Sequence, residues 1–485
     1  MNLGDSIRNG TKWLVAGSVA GQMLTFAFGV ALARILAPED FGFLVTVQIF
    51  TGIASFIASG GTGDALVQTR TLGERDFDAV FTMQLCVCIL IYAFFFFLAG
   101  WVAVWFHNEL YKALMRVSAL SFLIRPFQNI PRVKLRREMR FDAVAKLGFA
   151  SSVFSGVVSV ALALQGFGTW ALVLGGLVSS LAIIPPLFSA AKWLPRLYLD
   201  RAVARRVWRY GVKVSAVELI SYCRSQVPNL ILSRVFGPSQ VGLFNKANSL
   251  SYMPVTTVSA SVYEPIFRAL AAVQDDRDQS RYIYLRTVTL LTLYTLPLYV
   301  CMRWLAEPFI LFVFGQKWMQ SAALLEILSL SGLFFCLGHP SGAVLAARNL
   351  LGREMIVQLN HLFLLGVGCV VGLHYGVAGI AWVVFGTYVY SSVHMSWLAN
   401  AALGVSLLDI LRALMPSAVL NAMLITALAL ADHALPAMLR SEHPFIYLIV
   451  TGGVGTLVYG AGFLFLPIPA LSSEAARWRR TLRLG

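Results

Sequence analysis

The sequence predicts an all-α integral membrane protein of about 14 transmembrane helices, built as two six-helix lobes related by a pseudo-two-fold axis along the membrane normal, plus two C-terminal helices. Three observations predict it: the composition, a series of apolar windows along the whole chain, and an internal repeat with an even number of windows per unit. Of the 485 residues, 58% are apolar and 13% charged, and the mean hydropathy is +0.73. A soluble domain carries roughly 25% charged residues. The composition therefore excludes most soluble enzymes, nucleic-acid-binding modules and extracellular scaffolds.

Taken in order, the apolar windows run near residues 13–35, 42–66, 78–105, 111–131, 142–165, 168–191, 210–234, 240–266, 283–305, 318–340, 355–374, 376–400, 408–430 and 445–467, separated by Gly, Pro or charged punctuation. The first is too long for the apolar region of a cleaved signal peptide and no secreted domain follows it, so it reads as an uncleaved span. Windows seven and eight are interrupted by polar residues. Cys86, Cys88, Cys223, Cys301, Cys336 and Cys369 each sit in or beside an apolar run without zinc or redox spacing, and read as small packing residues.

The positive-inside rule orients this map. Of the 38 Lys and Arg, 28 fall on alternate connections that include both termini, whereas 7 fall on the others: Arg34, Lys112, Arg116, Arg234, Arg303, Lys317 and Arg440. Both termini are therefore expected in the cytoplasm, and the net charge of +15 is mainly a topology signal with added attraction to anionic lipid heads. Lys192 to Arg209 and Ser473 to Leu484 mix Trp and aliphatic residues with Arg, as helices lying in the headgroup layer do, or as stop-transfer flanks do.

Arg34-Ile35-Leu36-Ala37-Pro38-Glu39-Asp40-Phe41-Gly42 returns 200 residues later as Arg234-Val235-Phe236-Gly237-Pro238-Ser239-Gln240-Val241-Gly242. Arg137-Glu138-Met139 returns as Arg353-Glu354-Met355, and the stretch from Gly166 to Val173 parallels Gly376 to Val383. A duplicated six-helix unit enters the membrane twice from the same side, as in transporters built from parallel repeats. The expected organisation is an N-lobe over 1–191, an interfacial linker helix over 192–209, a C-lobe over 210–404, and two further spans with a basic tail over 405–485.

With these segments in view, the chain resembles the polysaccharide transporter (oligosaccharide-lipid flippase) family of the multidrug/oligosaccharidyl-lipid/polysaccharide exporter superfamily, over residues 4 to about 400. The resemblance rests on Arg34 to Gly42, on Pro131-Arg132-Val133-Lys134-Leu135-Arg136-Arg137-Glu138-Met139-Arg140-Phe141, on Gly166 to Leu172, and on Phe314-Gly315-Gln316-Lys317-Trp318. The segment Arg136 to Phe141 is similar to the branch exporting colanic-acid-type exopolysaccharide. The resemblance implies a two-lobed, V-shaped, MATE-like transporter of undecaprenyl-diphosphate-linked oligosaccharide across the bacterial inner membrane, for exopolysaccharide or lipopolysaccharide synthesis. Its motifs do not report the sugar.

The remaining three basic residues, Arg125, Arg224 and Lys246, lie inside predicted spans. Each costs about 2.5–3.5 kcal/mol at a helix centre on insertion scales, which points to a function or a dedicated partner. A diphosphate crossing a low-dielectric interior needs such groups, and guanidinium offers it two-pronged contacts. Arg224 and Lys246, with Arg125 from the other lobe, are the expected diphosphate-binding residues; ion-pair packing or snorkelling is the alternative for each. Asn245, Asn248 and Tyr252 recur at i, i+3 and i+7 on one helical face, and with Gln226 and Tyr263 are candidates for glycan contact. Small polar residues also hold helices together. Among the acidic residues Asp64, Glu218, Glu264 and Glu326, Glu218 is the candidate for ion coupling, because a buried carboxylate takes up a proton as desolvation raises its pKa. Pro254, Pro265 and Pro297 fall inside spans as kinks or hinges.

No cofactor or metal is expected beyond a coupling H+ or Na+. The expected partners are the lipid-linked oligosaccharide, membrane lipids, and a polysaccharide polymerase with other assembly proteins; the expected state is a monomer that binds no nucleic acid. A cation-coupled multidrug exporter shares the fold, but would favour an acidic cavity where the deepest charges here are basic. A glycan polymerase or ligase would need a sizeable outer loop with acid and base groups, and every outer connection is short. The chain is therefore read as a transporter and not an enzyme.

Overall fold

The computed structural model describes residues 20–59, 73–198, 200 and 219–483; at 59, 74, 257–262, 264 and 437 it describes the backbone alone. Among the described residues the structure is helical without strands. Among the described residues eight helical stretches, one of them the 53-residue Leu351–Leu403, are long and apolar enough to cross a membrane, or nine if one bent pair counts as a single span. This is the all-α membrane architecture expected, because in hydrocarbon a helix satisfies its own backbone polar groups. The chain divides into two compact units, Met1–Gly242 and Leu243–Gly485.

The first unit contains α1 (Ala20–Ile35), α2 (Pro38–Ser59), α3 (Glu74–Phe106), α4 (Leu110–Arg137), α5 (Phe141–Leu164), α6 (Thr169–Ala182), α7 (Ile184–Ala191) and α8 over 219–235. Pro38 starts α2 where no backbone donor is needed, and Asp40 accepts from the Ala37 amide at 3.0 Å. The other carboxylate oxygen of Asp40 accepts the Thr169 hydroxyl at 2.8 Å, tying the start of α2 to the start of α6. Gly168 makes that junction at φ +53°, where Asp40 Oδ1 would lie 3.1 Å from any added Cβ. Two of the family-like segments thus form one joint.

Residues 193–198 are not helical. They lie against α3: Trp193 Nε1 and the Arg196 amide donate to Asp78 Oδ1 at 3.2 and 3.3 Å, and the Tyr198 amide donates to Thr82 Oγ1 at 3.0 Å. Most of the remaining linker expectation, from 201 onward, lies outside the described residues.

α9 (Pro238–Ala272) begins in the first unit and continues into the second, followed by α10 (Arg277–Trp304), α11 (Ala306–Val313), α12 (Gln320–Ser329), α13 (Gly332–Ala347), α14 (Leu351–Gly372), α15 (Gly376–Leu403), α16 (Leu407–Ala434), α17 (Ala437–Glu442), α18 (Pro444–Phe465) and α19 (Ser472–Thr481). The span expected over 318–340 is instead a pair, α12 and α13, bent by 47°. Pro254 and Pro265 lie within α9 and Pro297 within α10. α19 packs through the Arg286 guanidinium, which donates to the Ala470 carbonyl at 2.7 Å and pairs with Glu474 at 3.3 Å.

The repeat has a structural counterpart. At the α4–α5 turn the amides of Glu138, Met139 and Arg140 donate to the carbonyls of Lys134, Arg136 and Leu135; at the α13–α14 turn those of Arg348, Asn349 and Leu350 donate to Val344, Ala346 and Leu345. Met139 (φ 59°) and Asn349 (φ 56°) occupy the same left-handed position of a helix-ending motif, 210 residues apart. The helices that follow begin at Phe141 and Leu351, and the later turns carry Gly166 and Gly376 at positive φ, again 210 apart. The pairing of Arg137-Glu138-Met139 with Arg353-Glu354-Met355 is therefore out of structural register by six residues. A shared Arg-Glu-Met triplet is short enough to arise twice, whereas the turn is set by backbone hydrogen bonds.

Candidate functional site

Lys246 is carried by α9 a turn beyond Gly242 and is half-buried. Its Nζ lies 4.9 Å from the ring centroid of Phe314 and 5.0 Å from that of Trp318. Both rings are buried, at 3% and 0% exposure, and they belong to the short Phe314–Trp318 segment between α11 and α12. Gly315 (φ +91°) lets that segment turn back, and Ser321 Oγ anchors it by donating to the Leu243 carbonyl at 2.9 Å. Two ring faces at this distance stabilise an ammonium group that has left bulk water. Sequence reasoning used Phe314–Trp318 only as a family signature; its role around Lys246 was missed, and the aromatic residues at both ends of the segment were the available signal.

Asn245 and Asn248, also half-buried, flank Lys246 on the same helix, where the Asn248 carbonyl accepts from Ser251 Oγ at 2.8 Å. Two turns beyond Asn245, Tyr252 packs its ring 5.2 Å from Phe335 and 5.7 Å from Tyr388. Beneath it the Tyr299 hydroxyl donates to the Ser251 carbonyl at 2.9 Å, which fixes α10 against α9. Tyr388 also meets the ring of His361, 1% exposed, at 5.3 Å. Tyr263 is 40% exposed. The second unit therefore brings Lys246, Asn245, Asn248 and Tyr252 onto one stretch of α9, lined by aromatic rings.

The other candidates belong to the first unit. Arg125 on α4 donates from Nη1 to the Ser55 carbonyl and from Nη2 to Ser55 Oγ, both at 3.0 Å, and its guanidinium lies 5.5 Å from the Phe122 ring. These contacts staple α4 to the last described turn of α2. They use two of the five N–H donors of the guanidinium. Gln128 and Asn129 follow Arg125 at i+3 and i+4: Gln128 donates to the Ser180 carbonyl at 2.6 Å, Asn129 to Gln84 Oε1 at 3.4 Å, and Gln84 to the Ala58 carbonyl at 3.0 Å. This polar strip escaped sequence reasoning, although its spacing from Arg125 was visible.

Arg224 is half-buried on α8 and is not without a partner. Gln226 is engaged by its helix neighbours, donating to Ser225 Oγ at 3.3 Å and accepting from Asn229 at 3.0 Å. On the same helix the Tyr222 hydroxyl donates to the Gln48 carbonyl at 2.5 Å, seating the phenol over Gly52. Glu218 and Asp64 lie outside the described residues. Glu326 receives Arg303 at 2.6 Å.

The polysaccharide biosynthesis protein family matches residues 31–323, more than half of the chain. The chain belongs to that family. Among curated relatives, it is 26% identical over 328 residues to the succinoglycan biosynthesis transport protein ExoT of Rhizobium meliloti, covering 67% of this chain and 66% of that one. It is 22% identical over 354 residues to the lipopolysaccharide biosynthesis protein WzxC of Escherichia coli, covering 72% and 71%. It is likewise 22% identical over 487 residues to the teichuronic acid biosynthesis protein TuaB of Bacillus subtilis, covering 99% of both chains. Among solved structures, a lipid II flippase MurJ in an inward closed conformation superposes with a TM-score of 0.75 at 14% identity, over 96% of this chain and 99% of that one. An inward-facing multidrug resistance MATE family transporter superposes with a TM-score of 0.63 at 16% identity, over 79% and 94%. The fold is therefore shared with these two solved structures, and the chain is a multi-pass membrane protein of the polysaccharide biosynthesis protein family.

Proposed function

We propose that this transporter flips undecaprenyl-diphosphate-linked oligosaccharide units from the cytoplasmic to the outer leaflet of the inner membrane by alternating access, for exopolysaccharide or lipopolysaccharide assembly. The observation that carries the reading is the ammonium of Lys246, lying over the rings of Phe314 and Trp318 beside Asn245 and Asn248 within an apolar helical protein. An ammonium so placed has given up water and gains most from a strongly anionic ligand. The named relatives serve three different polymers, lipopolysaccharide, succinoglycan and teichuronic acid. Recognition common to them is better sought in the lipid-linked phosphates than in the sugars.

In this reading Lys246, Arg224 and Arg125 serve the diphosphate, the amides of Asn245, Asn248 and Gln226 with Tyr252 and Tyr263 serve the glycan, and Glu218 couples movement to H+ or Na+. Spans 1–6 and 7–12 are the two rocking lobes, both termini are cytoplasmic, and the monomer delivers its cargo to a polymerase. Deleting the gene and probing the sidedness of the lipid-linked oligosaccharide tests this directly: it accumulates on the inner leaflet. Neutralising Arg224 and Lys246 together abolishes polymer export at unchanged protein level. Normal export in that double variant removes the diphosphate assignment.

A further inference from the structure

The second unit contains a cavity of about 530 Å³ that has no part in the transport reading. It lies where α10 and α16 end, beside the short helix α17. Each span contributes a stripe on one face: Leu296, Val300 and Arg303 on α10, and Ile425 and Asp432 on α16. Seven residues rise ~10 Å along a helix, so both spans set an apolar wall two turns below a charged rim. Leu330 and Ile425 line the cavity and are 38% and 44% exposed. Trp304 completes the rim, as aromatic residues do at a membrane–water interface.

The rim carries charges of both signs, Arg303 and Arg440 against Glu326 and Asp432. Arg303 donates to Glu326 at 2.6 Å, Arg440 Nη2 to Glu307 at 2.7 Å, and the Tyr447 hydroxyl to one oxygen of Asp432 at 2.5 Å. Arg440 Nε is buried without a hydrogen-bond partner among the described residues. Of the 38 basic residues only 7 fall on the proposed outer connections, and two of these line this one cavity. Topology alone does not ask for that concentration. A purely anionic head would be repelled by the two carboxylates, and a purely cationic one by the two guanidinium groups.

We propose that this cavity binds a phospholipid of the phosphatidylethanolamine class, with the phosphodiester oxygens toward Arg440 and Arg303, the primary ammonium toward Asp432 and Glu326, and an acyl chain along Leu296, Val300 and Ile425. The primary ammonium brings three N–H donors to the carboxylates, whereas a choline head brings none. The test titrates the delipidated full-length protein with phosphatidylethanolamine, phosphatidylcholine and phosphatidylglycerol of identical chains, reading retained lipid by native mass spectrometry and thermal stability in parallel. Phosphatidylethanolamine is expected to be retained best and to raise the melting temperature most. Asp432→Asn is expected to weaken its retention about tenfold, the size of one charge-assisted hydrogen bond, and to erase the preference over phosphatidylcholine. Ile425→Trp fills the wall without touching the rim and is expected to exclude the lipid, which keeps the test decisive if rim variants do not fold. Equal retention of the three lipids, a preference for phosphatidylglycerol, or undiminished retention in Ile425→Trp overturns the proposal.

Discussion

The helices α2 and α9 start alike and then part company. Pro38 and Gly42 begin one, Pro238 and Gly242 the other, and the two starts cross reciprocally: a Cβ on Gly42 would stand 1.7 Å from the Pro238 carbonyl oxygen, and one on Gly242 would stand 1.9 Å from the Pro38 carbonyl oxygen. One turn further the copies diverge. Thr46 is sealed, 0% exposed, and returns its hydroxyl to the Gly42 carbonyl at 2.9 Å, whereas Lys246 at the matching position reaches two aromatic rings. Gly52 makes room for Tyr222, whereas Tyr252 fills its own space against Phe335 and Tyr388. The duplication thus repeats a backbone crossing that only glycine permits, while the side chains beyond it are shaped for closure in one copy and for charge in the other.

The crossing is the most sensitive point. Gly42→Ala or Gly242→Ala drives a methyl group into backbone, which cannot swing aside, and is expected to cost about 3 kcal/mol or to abolish folding. Gly29→Ala, with nothing within 4 Å of the added carbon, is the control that keeps normal yield and melting temperature in detergent. If both behave alike, the reciprocal crossing is not the joint described here.

Lys246→Met sharpens the asymmetry between the copies. It is expected to leave melting within a few degrees of the parent but to weaken transport roughly 10- to 100-fold, measured by leaflet accessibility of the lipid-linked oligosaccharide in vesicles. Thr46→Val at the matching position is expected to leave transport intact and to lower stability by about 1 kcal/mol, the net worth of one hydroxyl hydrogen bond. A transport defect from Thr46→Val would mean that both copies carry function.

Smaller effects follow at the supports of α2. Asp40→Ala removes the acceptor for the Ala37 amide and the Thr169 hydroxyl, and is expected to lower stability by about 1–2 kcal/mol in thermal melts. Ser55→Ala takes one of two contacts from Arg125 and leaves the carbonyl, for an expected loss of about 0.5–1 kcal/mol and unchanged transport.

Much of the fold was legible beforehand because it is written in one dimension. Each apolar window corresponds to helical structure in its described part, and the offset between the copies is visible in the Arg34 and Arg234 segments. The break between α12 and α13 was not, because a window average does not register a bend of 47° inside an apolar stretch. Nor was the true register of the second half-repeat, since the turn at Met139 and Asn349 shares hydrogen bonds and not residues. At the candidate site, a charge inside a span was readable as costly, but not what it would meet. Arg125 meets a serine and its carbonyl, Gln226 meets neighbours on its own helix, and Lys246 meets two rings.

The amino-acid sequence by itself determined that the chain lives in a bilayer, that it is duplicated, and which family it joins, because hydropathy, charge bias and repeated segments are properties of order along a chain. The tertiary structure alone decided that Phe314 and Trp318 present their rings to Lys246, that Gly42 meets Pro238, and that Arg303 and Arg440 share one cavity. Those contacts join residues far apart along the chain, and side chains acquire such neighbours only when helices pack.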